Sequence, residues 1–243
     1  MAGGGWSDEA GNIAREAGRA GLQDVVIFQT SGSSGRPRWA VLTERSLEVS
    51  ARAVNSRLRA GAGDRWVRAL PSYHVGGYAV RLRAEMAGAS LVELESRWDP
   101  FLFADLCVGA SFTSLVPTQV YDLVRAGIAA PGSMRRVLVG GGAFDPGLRQ
   151  RALDLGWPVR STYGLTEAGS TVAIGDSRGR LRLLDCWQAR TDDRGELWIA
   201  GEALFCGYFE AGELRKPQRH RWFATRDLAE IGDGELRLLG RLD

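Results

Sequence analysis

The chain has 243 residues, of which 44% are hydrophobic and 25% are charged, as expected of a globular protein with a sizeable core. Its formal net charge of +2 gives no reason to expect binding to nucleic acid or to an anionic membrane. The three cysteines lack metal-site or redox spacing, no apolar signal region begins the chain, and no apolar run reaches membrane-spanning length. These features predict a cytoplasmic protein.

In chain order, the sequence first predicts a helix from Ser7 and a strand at Val25–Phe28. Thr43 is placed to cap the helix that follows. Short apolar strands then alternate with helices of about ten residues. This alternation predicts an α/β fold over residues 1–174, with a layered and mostly parallel sheet. From residue 175 to 243, Gly and Asp turns recur between candidate strands, which predicts a small β-rich subdomain.

The stretch Thr-Ser-Gly-Ser-Ser-Gly-Arg-Pro-Arg at residues 30–38 has the composition of an anion-binding loop. Its glycines allow the backbone to approach a ligand closely, and its hydroxyl and guanidinium groups suit phosphate oxygens. The stretch has neither the Gly-Lys-Ser/Thr of a Walker loop nor the G-x-S-x-G spacing of a nucleophile elbow. The alternative interpretation is an ordinary Gly/Ser surface loop.

Three further stretches follow predicted strands, and open α/β sheets bind ligands at the carboxyl ends of their parallel strands. Gly140–Ala143 offers bare backbone for a planar base, or else is a tight turn. Tyr163–Glu167 offers a ring, a hydroxyl and a carboxylate for a base, a phosphate and Mg²⁺, or else is a helix start. Trp222–Asp227 offers a carboxylate for ribose hydroxyls, or else is a β-turn.

Taken together, the order and spacing of these stretches resemble the adenylate-forming superfamily of acyl-CoA synthetases, luciferases and peptide-synthetase adenylation domains. The resemblance rests on the phosphate loop, Y-G-x-T-E at Tyr163, G-E-L-x-I-x-G at Gly195 with Gly207-Tyr208, W-F-x-T-x-D at Trp222 and G-R-x-D at Gly240. Residues 113–118 and 134–172 most resemble the o-succinylbenzoate–CoA ligases of menaquinone biosynthesis.

The resemblance implies the large N-terminal domain of an adenylate-forming enzyme. Such enzymes use ATP and Mg²⁺ to adenylate an acid, here an aromatic carboxylic acid, and then transfer the acyl group to CoA. Nucleotide contacts are implied for Thr30, Ser31, Gly32, Ser33, Ser34, Gly35, Arg38, Gly140, Gly141, Gly142, Ala143, Tyr163, Gly164, Thr166, Asp227 and Arg241. The acid is implied to contact His74, Ser114, Val116, Pro117 and Gly141. The implied catalytic residues are His74, Thr166 and Glu167, with Glu167 as the Mg²⁺ ligand. The resemblance is compatible with a homodimer.

The chain departs from the family pattern at several positions. Arg36 and Arg38 replace lysines, Trp39 replaces a glycine, and Arg226 replaces the glycine of T-G-D. The matches stop at the hinge signature, so the family's mobile C-terminal domain and its lysine are expected to be absent from these residues. A non-catalytic nucleotide- or acyl-adenylate-binding module is therefore the alternative function. A serine hydrolase is disfavoured because no nucleophile elbow exists.

Overall fold

The computed structural model describes residues 13, 15–30 and 38–242. Residues 15–19 are helical, whereas Ser7, the predicted start of this helix, lies outside the described residues. The other helices are α1 (Glu44–Leu58), α2 (Val75–Ala87), α3 (Pro100–Leu106), α4 (Pro117–Arg125) and α5 (Pro146–Asp154), and Thr166–Ala168 forms a 3-10 turn. The strands are β1 (Val25–Thr30), β2 (Arg38–Thr43), β3 (Arg65–Arg68), β4 (Ser90–Glu93), β5 (Phe112–Leu115), β6 (Arg136–Val139), β7 (Val159–Tyr163), β8 (Ala173–Gly175), β9 (Leu181–Leu183), β10 (Trp187–Thr191), β11 (Glu196–Gly201), β12 (Gly207–Glu210), β13 (Glu213–Arg215), β14 (Phe223–Gly232) and β15 (Glu235–Arg241).

Within the described residues, the larger sheet has the strand order β10-β11-β14-β15-β9-β8-β7-β6-β5-β3-β4. The run from β4 to β7 is parallel, and every pairing from β7 to β10 is antiparallel. The α/β class is confirmed. The predicted parallel sheet and the β-rich segment form one continuous mixed sheet, and β8 lies across the predicted border between residues 174 and 175.

A second sheet in the described part of the chain has the order β1-β2-β12-β13 and is antiparallel throughout. The strand predicted at Val25–Phe28 is present, but only Phe28 in it is fully buried. Since β12 pairs with β2, this sheet joins the beginning of the chain to the segment just after residue 206. Sequence periodicity detects the strands but not this long-range pairing.

Local sequence signals determine where the helices next to the sheet begin. The Thr43 hydroxyl accepts a hydrogen bond from the Ser46 amide at 3.0 Å, as predicted for a helix cap. Asp145 caps α5 in the same way, at 2.7 Å from the Leu148 amide. At the start of α4, the Gln119 side chain accepts from the Val116 amide at 3.1 Å instead. These caps fix the turns between each strand and the next helix.

The parallel strands are covered on both faces. Trp66 and Val67 are both fully buried, and because neighbouring strand residues point to opposite faces they belong to different core clusters. Trp66 packs against Phe112, with ring centroids 5.0 Å apart, while Phe103 packs against Trp157 on the other face. Each of these large side chains contributes roughly 2–3 kcal/mol by burial. The carboxyl ends of the strands are therefore held on a rigid support.

The predicted ligand stretches do not all lie at one edge of one sheet. Gly140–Ala143 and Gly164–Glu167 do follow neighbouring parallel strands, β6 and β7. Residues 30–38, by contrast, connect antiparallel strands of the smaller sheet. Asp227 lies within β14 rather than in a loop or β-turn after a strand. Pairing between distant strands, which the sequence does not reveal, sets these positions.

Candidate functional site

A cavity of about 660 Å³ lies beyond the carboxyl ends of β5, β6 and β7 and beside the first turns of α2 and α4. Seven of the residues that the sequence assigns to ligands line it, namely His74, Ser114, Val116, Gly140, Gly141, Gly164 and Thr166. Pro117, the first residue of α4, does not line it. His74 is exposed at the start of α2, where its ring lies 4.6 Å from the ring of Tyr73. The cavity therefore brings together residues predicted to contact the acid with residues predicted to contact the nucleotide.

Two glycines keep the cavity wall free of side chains. A Cβ atom on Gly164 would overlap the carbonyl group of Ser170, and one on Gly140 would overlap the hydroxyl of Thr162. Gly141 has a φ of +78°, a conformation that strongly favours glycine. The cavity wall is therefore bare backbone at the ends of β6 and β7, the feature that the sequence predicted would accept a planar base, although Leu138 and Thr162 also line the cavity.

Arg83 is a cavity residue that the sequence analysis missed. Its side chain is 1% exposed, and its guanidinium donates to the hydroxyls of Ser114 at 3.2 Å, Ser170 at 3.3 Å and Thr171 at 2.9 Å. Among the described residues it has no carboxylate partner, and its Nε has no hydrogen-bond acceptor. Helical spacing from the buried Val80 places Arg83 on the inner face of α2, which is the signal that could have identified it.

Burial lowers the pKa of Arg83 from its ordinary value of 12.5 to about 10, so the group is still charged at neutral pH. An unneutralised charge in a desolvated position attracts an anion strongly. Ser170, one of its acceptors, has a φ of +100°, which is uncommon for a residue other than glycine. Backbone strain of this kind is concentrated at ligand sites. The cavity lining thus includes a positively charged polar patch.

The ends of the predicted phosphate loop are Thr30 and Arg38, which are paired between β1 and β2. Ser31, Gly32, Ser33, Ser34 and Gly35 lie outside the described residues. The Thr30 hydroxyl and the Arg38 Nε are buried and have no hydrogen-bond partner among the described residues. Buried polar atoms usually have partners, so these two atoms fit a missing polar ligand such as a phosphate.

Glu167 follows Thr166 in the 3-10 turn and is 8% exposed. Its carboxylate accepts a hydrogen bond of 2.6 Å from the hydroxyl of Tyr208, a residue that the sequence analysis gave no role. In the described part of the chain, no group of three or more His, Cys, Asp or Glu side chains is placed to hold a metal ion. A single protein carboxylate, such as that of Glu167, fits Mg²⁺, which commonly takes one or two protein carboxylates and completes its shell with phosphate oxygens and water.

Asp227, Tyr163 and Arg241 form a cluster at the end of β7 and between β14 and β15. The Tyr163 hydroxyl donates to one oxygen of Asp227 at 2.6 Å, and the Arg241 Nε lies 3.5 Å from the other. Burial, followed by the contact with Asp227, raises the pKa of Tyr163 above its usual range. The Tyr163 ring is only 7% exposed, so it offers little surface for stacking on a base. What the structure shows for Tyr163 is a hydrogen bond to the predicted ribose-binding carboxylate.

The comparison with protein families agrees with this geometry. The family model described as AMP-binding enzyme matches residues 15–209, which is more than half of the chain. The chain belongs to the family of AMP-binding enzymes. The match includes every cavity residue named above and Tyr163, and it ends before Asp227 and Arg241.

Relatives of this AMP-binding chain are 2-succinylbenzoate–CoA ligases. The Escherichia coli K12 enzyme is 32% identical over 219 residues, which cover 88% of this chain and 47% of that protein. A probable 2-succinylbenzoate–CoA ligase of Mycobacterium tuberculosis H37Rv is 34% identical over 231 residues, with 90% and 58% covered. The chain therefore spans about half the length of the curated relatives it matches.

Solved structures of the same enzymes share its fold. Wild-type E. coli MenE with a bound m-phenylether-linked analogue of OSB-AMS is 30% identical with a TM-score of 0.78, covering 89% of this chain and 48% of that one. The Bacillus subtilis O-succinylbenzoate Coenzyme A synthetase, solved with ATP and magnesium ion, is 24% identical with a TM-score of 0.79, with 88% and 49% covered, and shows the likeness of fold alone.

Two departures of the AMP-binding chain from its family pattern can be judged from the structure. Trp39 packs into a small core cluster with Val41 and Phe209. Arg226, by contrast, has a φ of +63°, the left-handed conformation in which glycine is favoured. The conformation therefore explains the family's glycine before the aspartate, and here an arginine adopts it.

Proposed function

We propose that this chain is the nucleotide- and acid-binding part of an acid–CoA ligase that acts in the cytoplasm on a dicarboxylic aromatic acid, namely o-succinylbenzoate. The observation that carries the proposal is the charged, buried Arg83, which lines a cavity of about 660 Å³ and has no carboxylate partner among the described residues. A monocarboxylic acid needs its carboxylate for adenylation and has none left for Arg83. An acid with two carboxylates supplies both, and 2-succinylbenzoate is the acid named for the relatives.

In the proposed complex, ATP extends from the residue 30–38 loop across the glycine wall to the Asp227 cluster. Thr30 and Arg38, at the loop's ends, each offer phosphate oxygens a polar atom that has no partner within the described ranges. Asp227 and Arg241 bind the ribose, and Asp227 is oriented for this by the Tyr163 hydroxyl. Gly140 to Gly142 provide the flat wall for adenine.

The acid is oriented by two groups at opposite ends of its site. Arg83 binds the carboxylate that is not adenylated. Because this contact anchors one end of the acid, it fixes the position of the other carboxylate relative to the nucleotide. His74, an exposed residue of the cavity lining, is proposed to contact the reacting carboxylate. Positioning of this kind supplies much of the rate acceleration in phosphoryl and nucleotidyl transfer, where little covalent chemistry falls to the protein.

Thr166 and Glu167 are the proposed catalytic residues of the turn after β7. Thr166 donates its hydroxyl to the phosphates, and Glu167 would hold Mg²⁺, which neutralises the charge that develops on them. The acid carboxylate attacks the α-phosphorus of ATP, and pyrophosphate leaves. The thiol of CoA then attacks the acyl carbon of the acyl-adenylate and displaces AMP. The thioester step is proposed for the whole ligase, from the relatives' names.

The proposal is tested by isothermal titration of the chain with two acyl-adenylate mimics in which a sulfamate replaces the phosphate. One mimic carries the o-succinylbenzoyl group, and its matched control has the same skeleton without the aromatic carboxylate. We expect the dicarboxylate-derived mimic to bind at least about tenfold more tightly, because a charge-assisted hydrogen bond is worth about 1.5–3 kcal/mol. Equal affinities would remove the substrate assignment, and failure of both mimics and of ATP with Mg²⁺ to bind would remove the function.

A second function is favoured by Arg226. Its left-handed backbone next to the ribose-binding Asp227 is where the family pattern has glycine. The alternative function is a non-catalytic nucleotide- or acyl-adenylate-binding module, which no longer turns over substrate but still binds it. Such a module would tolerate an arginine in place of the family's glycine. Release of pyrophosphate from ATP and o-succinylbenzoate, measured on a version that carries the family's C-terminal domain, would reject this alternative. Binding of the mimic by that version without pyrophosphate release across a panel of aromatic acids would support it.

A further inference from the structure

Tyr208 lies between two groups that the proposed function assigns to ATP and Mg²⁺. Its hydroxyl donates to the Glu167 carboxylate at 2.6 Å, and the Arg38 guanidinium lies 4.1 Å from the centre of its ring. The residue is 4% exposed, and Phe205 packs edge-on against its ring at 4.9 Å. One side chain therefore contacts the end of the phosphate loop with its face and the carboxylate with its edge.

The main chain reinforces this arrangement. Tyr208 is paired with Ala40 between β12 and β2, so it lies next to the strand that begins with Arg38. The amide of Phe205 donates to the carbonyl of Glu167 at 2.8 Å, which ties the segment before β12 to the 3-10 turn. Tyr208 is thus attached to both elements independently of its own side-chain contacts. A side chain so held can transmit the position of one element to the other.

The charges show why a phenol suits this place. Arg38 forms no ion pair with Glu167 in the described part of the chain; instead its guanidinium covers the ring that carries the hydroxyl bonded to Glu167. A direct ion pair would neutralise both groups and leave neither for a ligand. The ring keeps the cation and the anion close but unpaired, with Arg38 available to phosphate oxygens and one Glu167 oxygen available to a metal ion.

We propose that Tyr208 is a positioning residue that holds Glu167 and Arg38 in the geometry in which they bind the metal ion and the triphosphate. The proposal rests on the proposed function, since it takes Glu167 as the Mg²⁺ ligand. Groups that hydrogen-bond to metal ligands fix the ligands' orientation, and their removal commonly lowers metal affinity about 10- to 100-fold. A tyrosine that served only to fill the core would affect stability without affecting the metal.

The test is the Mg²⁺ concentration that half-saturates ATP binding, measured by titrating the chain with ATP at increasing Mg²⁺. For Tyr208→Phe, which keeps the ring and removes the hydroxyl, we expect this concentration to rise about 10-fold or more. Binding of ATP without Mg²⁺ should be unchanged, because the ring still supports Arg38. Tyr78→Phe is the matched control, since Tyr78 is half-buried, packs against Phe28 and does not line the cavity.

The outcomes separate this inference from the function on which it rests. If Glu167→Gln raises the half-saturating Mg²⁺ concentration and Tyr208→Phe leaves it within twofold of wild type, the positioning role is overturned. If neither variant changes it, Glu167 is not the metal ligand. If wild type does not bind ATP at any Mg²⁺ concentration, the proposed function itself fails.

A second measurement avoids the risk that Tyr208→Phe does not fold. 3-Fluorotyrosine introduced at position 208 keeps both the ring and the hydroxyl, and its ¹⁹F resonance reports the surroundings of the phenol. We expect the resonance to move when ATP is added with Mg²⁺ and to move less when ATP is added alone. An unmoved resonance under conditions where calorimetry shows ATP and Mg²⁺ bound would contradict the positioning role.

Discussion

Replacing Arg83 by methionine removes the buried charge while keeping a long side chain of similar length. Burial lowers the pKa of Arg83 from 12.5 to about 10. Because a pKa change of one corresponds to about 1.36 kcal/mol, burial disfavours the charged form over the neutral form by about 3 kcal/mol relative to water. Because no carboxylate among the described residues offsets this cost, Arg83→Met should leave the free energy of unfolding unchanged or raise it. The Thr171 hydroxyl keeps the Ser170 hydroxyl as a partner at 3.4 Å, whereas the Ser114 hydroxyl loses its guanidinium donor.

Binding should change in the opposite direction. The variant has no cation for the second carboxylate of the acid, and truncating one partner of a buried charge pair costs about 2–5 kcal/mol, or roughly 30-fold to several thousandfold in affinity. We expect a loss of this size for the o-succinylbenzoyl-adenylate mimic. The matched mimic without the aromatic carboxylate should lose little, because it makes no contact with the guanidinium.

The assay combines urea unfolding with calorimetric titration of both mimics. Arg81→Met is the matched control, because Arg81 lies on the same helix two residues away and is exposed. Large destabilisation of Arg83→Met would mean that the guanidinium is a structural group bonded to its three hydroxyls. An equal loss of affinity for both mimics would show that Arg83 does not distinguish the second carboxylate, and the substrate assignment would be refuted.

Three further predictions concern the parts of the chain that support the site. Glu93→Gln breaks a 2.7 Å ion pair with Arg68, and this ion pair lowers the pKa of Glu93. The ion pair therefore stabilises the fold above the unfolded pKa of about 4.3, and this stabilisation is lost as the pH falls through the lower folded pKa. Because a third of the Glu93 side chain is exposed, unfolding in urea near neutral pH should show a loss of only about 0.5 kcal/mol, which disappears at about pH 3. Gly164→Ala brings a Cβ onto the main chain of Ser170 and should lower the free energy of unfolding by at least about 2 kcal/mol in the same assay. Asp227→Asn can still accept the hydrogen bond from the neighbouring tyrosine but loses its charge, so calorimetry should show about 10-fold weaker ATP binding with an unchanged melting temperature.

Each of these predictions has a control in the chain or the ligand. Gly132→Ala places a Cβ in open space and should leave stability nearly unchanged, so equal effects at the two glycines would contradict the steric argument for Gly164. An ion-pair effect of Glu93 that persists at about pH 3 would show that the carboxylate charge is not its cause. Dideoxy-ATP lacks the ribose hydroxyls, so Asp227→Asn should not weaken its binding. If the substitution weakens the binding of dideoxy-ATP as much as that of ATP, Asp227 does not bind the ribose hydroxyls.

Much of the fold follows from local sequence signals. The α/β class, the helix cap at Thr43 and the strand at Val25–Phe28 were predicted and are present. Each of these depends on contacts within a few residues, such as a side-chain oxygen facing an amide three positions away. Parts of the site were predicted for the same reason: Gly140 and Gly164 lie beyond the ends of parallel strands, and strand–turn–helix sequence is sufficient to place them there.

The remaining features depend on which distant segments meet. The sequence marks Tyr163 and Asp227 as separate motifs, but their hydrogen bond across 64 positions requires β7 and β14 to lie in one sheet. Arg83 could have been assigned to the inner face of its helix, yet its three hydroxyl partners come from β5 and from the turn before β8.

By itself the sequence determined the element types, the bare glycine wall and the motifs that resemble a family, because each is a property of a short stretch of backbone. The tertiary structure alone decided that Arg83 is buried with no carboxylate partner in the described part of the chain, and that Tyr208 lies between Arg38 and Glu167. Burial and partner choice set the charge and the hydrogen bonding of these groups. Both are fixed only when strands far apart in the chain pair and exclude water from between them.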